Sequence, residues 1–270
     1  MRCSSLLPAL LTPALLLAGC AATPRAAMLE PPLAGTTFGS VKPAKVETLV
    51  IVVHDDTETA PSHTGFAERA AAAIPNAAVV ALLRPGYGST GGIVSPGLRG
   101  AGNGDAYTAE IVRLLGETVA AHRQRYPRAR TILVGDGGGA ALVANLAGTR
   151  PRLVDGMLLV GCPCTLPEWR ALMAKAKPGK GFNRPVESLD PLQTVGGIAV
   201  TTRTAIMVGE NDRITPPRIA GTYAEALALR GIAIDFRRLP GRGHEILNDA
   251  ETLQALARLA RPVPNQVATR

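Results

Sequence analysis

Residues 131–141 read TILVGDGGGAA, and this stretch decides the fold. The short apolar run 131–134 predicts a buried strand, and the alanine-rich segment 140–148 predicts a helix. The glycines between the two favour a sharp strand-to-helix turn. A strand that enters a helix through such a turn is typical of a parallel sheet that is covered by helices.

The same alternation extends in both directions along the chain. Short apolar runs predict five further strands, at 49–53, 78–83, 156–160, 204–208 and 234–239. Helices are predicted around them, at 66–73, 107–126, 217–230 and 248–260. Segment 162–201 contains five prolines, so we expect a lid or insertion there, with one short helix near 169–175. The predicted fold class is α/β, with a mostly parallel central sheet and helices on both faces.

Four strand ends carry polar loops, and parallel sheets bind their ligands at these ends. His54 follows the first strand, and residues 84–88 after the second strand read RPGYG. Two later strands run into GEND at 209–212 and PGRGH at 240–244. Over residues 45–260, the order of these loops resembles that of the α/β-hydrolase superfamily. The resemblance implies the α/β-hydrolase fold.

The resemblance also implies a task for each loop. Asp212 would be the triad acid that orients the imidazole of His244, which would accept a proton from a nucleophile. The superfamily carries that nucleophile in the turn pattern G-x-S-x-G. Residues 135–139 read GDGGG, so Gly137 takes the nucleophile position and leaves it without a hydroxyl. The backbone N–H of Gly138 would belong to the oxyanion site.

The resemblance implies that the loop after the first strand, which begins at His54, is the oxyanion loop, and this loop also differs from the superfamily pattern. His54 is followed by Asp55 and Asp56, where a glycine is usual. A carboxylate near a site that stabilises negative charge would oppose a contribution of about 3–4 kcal/mol per donor. The effect depends on the direction of the two side chains, which the sequence does not give.

Two alternatives to an empty nucleophile position remain open, and so does a purely structural role for the acid–histidine pair. In a shifted register, Asp136 would be the nucleophile, as in the aspartate turn of epoxide hydrolases and haloalkane dehalogenases, which this stretch also resembles. A relocated Ser89 or Ser95 could approach the site from the loop after the second strand. Asp212 and His244 could also form a buried couple that only holds two loops together. If the pair stays aligned, we expect Gly137→Ser to gain esterase activity.

Composition limits the classes of partner. The 270 residues suit one large domain or two small ones, and 46% apolar residues supply a core. The net charge of +8 is spread along the chain without basic runs, and aromatic residues make up only 3%. We therefore expect no nucleic-acid partner.

The N-terminal residues resemble an export signal. Arg2 precedes an apolar run, and residues 17–20 read LAGC, similar to the lipobox of bacterial lipoproteins. This predicts a signal peptide at 1–19, lipidation of Cys20 and a flexible tether at 20–36. The domain would then span 37–262 and the C-terminal tail 263–270. The outer membrane, facing the periplasm, is the expected location, and an ordinary secretory signal with a chance cysteine is the alternative.

The remaining cysteines give little chemistry. Cys162 and Cys164 lack a second pair, so we expect no metal site. Loop packing is preferred over a disulfide between them, because the ring would be tight. No cofactor is expected.

Two functions follow from these expectations. The first is a catalytically impaired hydrolase relative, tethered to the envelope, that binds a small molecule, a lipid or a protein. The second is an active hydrolase of esters, amides or epoxides that uses Asp136, a relocated group or water activated by His244.

Overall fold

The computed structural model describes residues 31–39, 41–56 and 63–262. The predicted signal peptide, Cys20 and the C-terminal tail therefore lie outside the described residues. In the described part, a single sheet contains seven strands: β1 Gly35–Phe38, β2 Thr48–Val53, β3 Ala77–Leu82, β4 Arg130–Asp136, β5 Gly156–Val160, β6 Arg203–Gly209 and β7 Ile234–Leu239. Their order is β1-β3-β2-β4-β5-β6-β7. Only β1 is antiparallel to its neighbour. The predicted α/β class with a mostly parallel sheet is confirmed.

Helices cover both faces of the sheet. They are α1 His63–Ala73, α2 Ala109–Arg125, α3 Gly138–Thr149, α4 Leu166–Ala176, α5 Pro191–Thr194, α6 Pro217–Leu229 and α7 Ala250–Ala260. The alternation along β2 divides the core, because successive side chains point to opposite faces. Leu49, Ile51 and Val53 pack in the layer that contains α2, α3 and α6. Val50 and Val52 pack in the layer of α1 and α7.

The structure differs from the sequence predictions at the start of the domain. Residues 35–38 form β1, and Leu33 before them is buried. The predicted tether boundary at residue 36 therefore falls inside a strand. The strand was missed because GTTF has no apolar run and alternates between exposed and half-buried positions.

The segment predicted as a lid lies over the carboxyl ends of the strands. It contains α4 and α5, and Cys162 and Cys164 at its start are joined by a disulfide. The preference for loop packing at these cysteines is therefore wrong. The two Cα atoms are 5.1 Å apart, which falls within the usual range for a disulfide.

The strand order places two loops side by side. β2 pairs with β3 on one side and with β4 on the other, so the crevice expected at such a switch point opens between the loops after β2 and β4. Val53 is paired with Gly135 in the β2–β4 ladder. Two residues further along each chain, Asp55 and Gly137 emerge at the same edge.

Candidate functional site

Gly137 forms the bend between β4 and α3. Its φ of 48° and ψ of −116° lie in a region that side chains rarely adopt, and its N–H donates to the carbonyl of Val160 at 2.9 Å. Asp136 is the last residue of β4 and precedes the bend. The register that would place Asp136 at the tip of the turn is therefore not the one that the chain adopts.

Asp212 and His244 meet at the ends of β6 and β7. The Nδ1 atom of His244 lies 2.8 Å from Oδ2 of Asp212, whose side chain is fully buried. The backbone N–H groups of Ile214 and Thr215 donate to the other carboxylate oxygen at 2.8 and 2.9 Å. The Thr215 hydroxyl donates to Oδ2 at 2.7 Å. The sequence predicted the Asp212–His244 pair, whereas nothing in it singled out Thr215.

Asp55 lies at the other ring nitrogen of His244, across the ring from Asp212. Its Oδ2 is 3.3 Å from Nε2 of His244, and its Oδ1 accepts a hydrogen bond of 2.6 Å from the backbone N–H of Gly138. The imidazole therefore has a carboxylate at each ring nitrogen. The N–H that was expected to stabilise an oxyanion already binds a negative charge.

The Asp55 carboxylate fills the space in which a residue 137 side chain would lie. A Cβ built on Gly137 would be 1.9 Å from Oδ1 and 2.1 Å from Cγ of Asp55. Serine at position 137 therefore cannot coexist with the observed position of Asp55. The expectation that Gly137→Ser alone restores activity does not fit this geometry.

The neighbouring Asp56 holds the loop in place. Its Oδ1 forms a buried ion pair of 2.7 Å with Arg84, and its Oδ2 accepts a hydrogen bond of 2.6 Å from the Tyr107 hydroxyl. A Cβ on Gly138 would be 2.3 Å from the Asp56 carboxylate. The two aspartates of the β2 loop thus occupy the space left by two glycines of the turn. Both departures are visible in the sequence, whereas their contact is visible only in the structure.

His54 anchors the same loop and does not face the cavities. Its Nδ1 donates to the carbonyl of Asp55 at 2.7 Å, and its Nε2 accepts from the N–H of Arg84 at 3.1 Å. Burial, and then the charge of Arg84, hold the pKa of His54 well below its ordinary value. A neutral ring that uses both nitrogens in this way fixes the loop geometry.

The charges of the site are set by mutual contact. Burial alone would lower the pKa of His244, but its hydrogen bonds to Asp212 and Asp55 raise that pKa to about 10. Burial would raise the pKa values of Asp55 and Asp212, yet their hydrogen bonds to His244 lower them below the ordinary value. At neutral pH the site therefore contains an imidazolium between two carboxylates. Protonated at both nitrogens, His244 has no lone pair with which to accept a proton.

Asp136 has the opposite tendency. Burial and, next, repulsion by the Asp55 carboxylate raise its pKa to about 8, so it is mostly protonated at neutral pH. It does not line either cavity next to His244. A protonated carboxyl outside the cavities does not fit the nucleophile proposed from the shifted register.

Two neighbouring cavities lie on this side of the sheet, and one of them reaches the cluster. The inner cavity has a volume of about 90 Å³ and is lined by Asp55, Gly137, Gly138 and His244 and by the side chains of Tyr107, Trp169, Met173, Phe182 and Ile214. The outer cavity has a volume of about 580 Å³. Both share Asp56, Gly102, Lys177 and Phe182. Neither Ser89 nor Ser95 lines them.

The described residues also limit other kinds of site. Over 31–39, 41–56 and 63–262, no group of three or more His, Cys, Asp or Glu side chains is placed to hold a metal ion. In the same ranges, none of the helices is long and apolar enough to cross a membrane.

Comparison with known proteins identifies the fold. No protein-family model matches the sequence, and no curated protein matches it either. Solved structures do: a monoacylglycerol lipase from Paleococcus ferrophilus has a TM-score of 0.58 at 19% identity, covering 84% of this chain and 98% of the lipase. Esterase PE8 has a TM-score of 0.61 at 18% identity, covering 85% of this chain and 99% of the esterase.

A third solved structure gives the same result. MGS-M2, an α/β-hydrolase enzyme from a deep-sea metagenome, has a TM-score of 0.60 at 14% identity, covering 87% of this chain and 97% of that enzyme. The chain therefore has the α/β-hydrolase fold. At these identities the likeness concerns the fold, and fold alone does not set function.

Proposed function

We propose that this protein is a hydrolase-like ligand-binding module whose site is silent in serine-type acyl transfer. One observation carries the proposal: the Asp55 carboxylate occupies the nucleophile position and binds the Gly138 N–H at 2.6 Å. Acyl transfer needs an attacking oxygen, a base and an empty oxyanion site. Each of these three is absent or occupied in the described site.

Asp55 contributes to two of these three features. Position 137 has no hydroxyl, the oxyanion N–H is already bound by Asp55, and the hydrogen bonds to Asp212 and Asp55 together keep His244 protonated. The cavities beside the cluster remain open, with an inner wall that is mostly apolar. An open, partly apolar cavity without an attacking group supports binding of a small molecule or lipid.

The proposal includes a place in the cell envelope. The LAGC stretch at 17–20 supports lipidation of Cys20 and attachment to the periplasmic face of the outer membrane. Incorporation of radiolabelled palmitate into the wild type, and its loss in Cys20→Ala, is the expected result. An unlabelled wild-type protein would contradict the anchor.

A fluorophosphonate probe and p-nitrophenyl butyrate test the catalytic part of the proposal. The wild type, Gly137→Ser and Asp55→Gly are expected to remain unlabelled and inactive. The double variant Asp55→Gly/Gly137→Ser places a hydroxyl at the bend and frees the Gly138 N–H. We expect it to be labelled and to exceed the wild-type rate by at least about 10²-fold.

Two controls make that result specific. Adding His244→Gln to the double variant should abolish both labelling and turnover, since the serine would lose its base. Labelling of the wild-type protein would overturn the proposal. A folded double variant with no activity would show that more than the Asp55–Gly137 exchange has been lost.

A second candidate function rests on the orientation of Asp55. One carboxylate oxygen is bound to an N–H and the other lies toward His244, the arrangement that a carboxylate nucleophile requires. Oδ2 would attack an epoxide carbon as the C–O bond breaks, and the released alkoxide would take a proton from His244. The ester has no charge at Asp55, so the pKa of His244 would fall and the imidazole could then accept a proton from water.

Isotope labelling distinguishes this candidate from a silent site. Hydrolysis of the ester by water returns the carboxylate, the diol and one proton, and it leaves a water oxygen on Asp55. Repeated turnover of styrene oxide in H₂¹⁸O would add ¹⁸O to the tryptic peptide that contains Asp55. The silent site predicts no incorporation, as in Asp55→Asn, and incorporation would replace the first proposal by the second.

A further inference from the structure

The outer cavity has an unusual distribution of charge. Its lining contains three cationic side chains, Arg99, Lys177 and Lys180, and one acidic side chain, Asp56. Asp56 is neutralised by Arg84, with which it forms an ion pair of 2.7 Å. Within the described residues, neither Lys177 nor Lys180 forms an ion pair. The cavity therefore presents a net positive wall to a ligand.

A ring contact places the Arg99 side chain, and backbone hydrogen bonds place the segments that carry the two lysines. The Arg99 guanidinium lies 4.3 Å from the centre of the Tyr87 ring. The N–H of Lys177 donates to the carbonyl of Met173 at the end of α4. The carbonyl of Lys180 accepts a hydrogen bond of 3.3 Å from Asn103. This last bond ties the segment after α4 to the loop that carries Arg99, so the two walls of the cavity are held together.

The adjoining inner cavity is small and offers apolar contacts. Its volume of about 90 Å³ suits a small apolar group, and Trp169, Met173 and Phe182 lie along it. The Trp169 N–H is already bound to the carbonyl of Ile214 at 2.9 Å, so the ring offers an apolar surface. Its charged lining residues, Asp55 and Asp56 against Lys177 and His244, balance one another, so the inner cavity offers an anion no excess of positive charge.

We infer that the ligand of this site carries a phosphate group, held in the outer cavity by Arg99, Lys177 and Lys180, and a small apolar group that enters the inner cavity beside Trp169. This inference rests on the proposed binding function and names its ligand class. Several separate cations suit a multiply charged anion better than a single carboxylate. The phosphate could belong to a soluble monoester or to a lipid headgroup, and the chemistry of the contact is the same.

The chain has a single tryptophan, so its fluorescence reports on the inner cavity. The full-length protein is titrated with benzyl phosphate, benzyl alcohol and benzyltrimethylammonium, which share one ring and differ in charge. At low salt we expect benzyl phosphate to bind at least tenfold more tightly than benzyl alcohol, and the cation to bind most weakly. The preference for the anion should shrink at high salt.

A charge-matched pair of variants locates the effect. Lys177→Gln/Lys180→Gln should weaken benzyl phosphate at least tenfold and change benzyl alcohol less than twofold. Lys42→Gln/Lys45→Gln removes the same charge at exposed positions before β2, at the amino ends of the parallel strands. It should leave the affinities for both ligands unchanged. Equal weakening in both variants would overturn the inference, because it would show an effect of net charge alone.

Competition identifies the source of the phosphate. Displacement of benzyl phosphate by dihexanoylphosphatidic acid, whose headgroup is also a phosphate monoester, below its micellar concentration and at lower concentrations than inorganic phosphate, would indicate a lipid headgroup. The reverse order would indicate a soluble ester, and displacement by neither would contradict the inference. If benzyl alcohol and benzyl phosphate bind equally, the anion site fails while the binding module stands. If no probe binds at all, the proposed function fails with it.

Discussion

The two sides of the candidate site differ in how closely they match the triad arrangement of a serine hydrolase. On the side of β6 and β7, Asp212 and His244 are paired at 2.8 Å, as the triad arrangement requires. On the side of β2 and β4, only the backbone matches: Gly137 has the bend, but the side chain beside it is Asp55 from another loop. The side of β6 and β7 therefore matches the triad in its side chains, whereas the side of β2 and β4 matches it only in its backbone.

This difference shows that the side of β2 and β4 is closely packed although position 137 carries no side chain. The carboxylates of Asp55 and Asp56 fill the space beside Gly137 and Gly138, and neither residue could change alone without a clash or a gap. His244 retains an acidic partner on each side and therefore stays charged. The paired fit explains how the cluster stays packed without a hydroxyl at position 137.

The largest effect on stability is expected at the buried ion pair between Arg84 and Asp56, which holds the β2 loop in place. Arg84→Gln would leave the buried Asp56 carboxylate without its cation, and we expect a loss of about 3–5 kcal/mol in the free energy of unfolding. Urea denaturation measures this loss. Glu110→Gln, at the exposed Arg113–Glu110 pair, is the control and should leave the free energy of unfolding nearly unchanged. Similar losses in both variants would contradict a special contribution of the buried ion pair to stability.

The next effect tests the shared space directly. Gly137→Ser forces a Cβ against the Asp55 carboxylate at a φ of 48°, and we expect a destabilisation of about 2–4 kcal/mol. In the Asp55→Gly background the same serine should be much less destabilising, because the carboxylate is gone. A double-mutant cycle measured by urea denaturation gives the coupling between the two positions. Additive effects would show that the side chains do not compete for the same space.

The retained side predicts a pH dependence of stability. The pKa of His244 in the folded protein, about 10, lies above its unfolded value of about 6.5. The stabilisation from its charged form is therefore complete below about pH 6.5 and is lost as the pH rises through 10. Between pH 8 and 10, unfolding free energy should fall by up to about 1.4 kcal/mol per pH unit. His244→Gln should remove this slope, and an unchanged slope would assign it to other groups.

The smallest effect on stability is expected at Tyr107, and it separates the contribution of the hydroxyl hydrogen bond to Asp56 from that of the Arg84 ion pair. Tyr107→Phe removes the hydroxyl that donates to Asp56 and leaves the Arg84 ion pair in place. We expect a loss of about 1 kcal/mol in the unfolding free energy, measured by thermal denaturation. A loss as large as that of Arg84→Gln would mean that the hydroxyl, and not the ion pair, holds the loop.

The sequence was sufficient for the sheet because its central strands are buried on both faces. Continuous runs such as Val50 to Val53 predict such strands within a residue or two at each end. The edge strand β1 has no such run and pairs antiparallel with β3, so its signal was too weak. The disulfide was missed because a spacing of two residues does not give the distance between the Cα atoms.

The two sides of the site also differ in how far the sequence predicts them. The loops that present Asp212 and His244 follow recognisable strand ends, so their meeting could be predicted from the resemblance. The contact of Asp55 with Gly137 depends on the pairing of Val53 with Gly135, which only the three-dimensional ladder supplies. The direction of the Asp55 side chain depends further on the anchoring of Asp56 by Arg84 and Tyr107.

The protonation of His244, followed by NMR titration of its ring signals, tests the central claim most directly. The paired carboxylates predict an imidazolium that persists through pH 7 to 9, and a clear fall of the pKa in Asp55→Asn. A His244 that titrates near 6.5 in the wild type, with no change in Asp55→Asn, would contradict the occupation of the nucleophile position by Asp55.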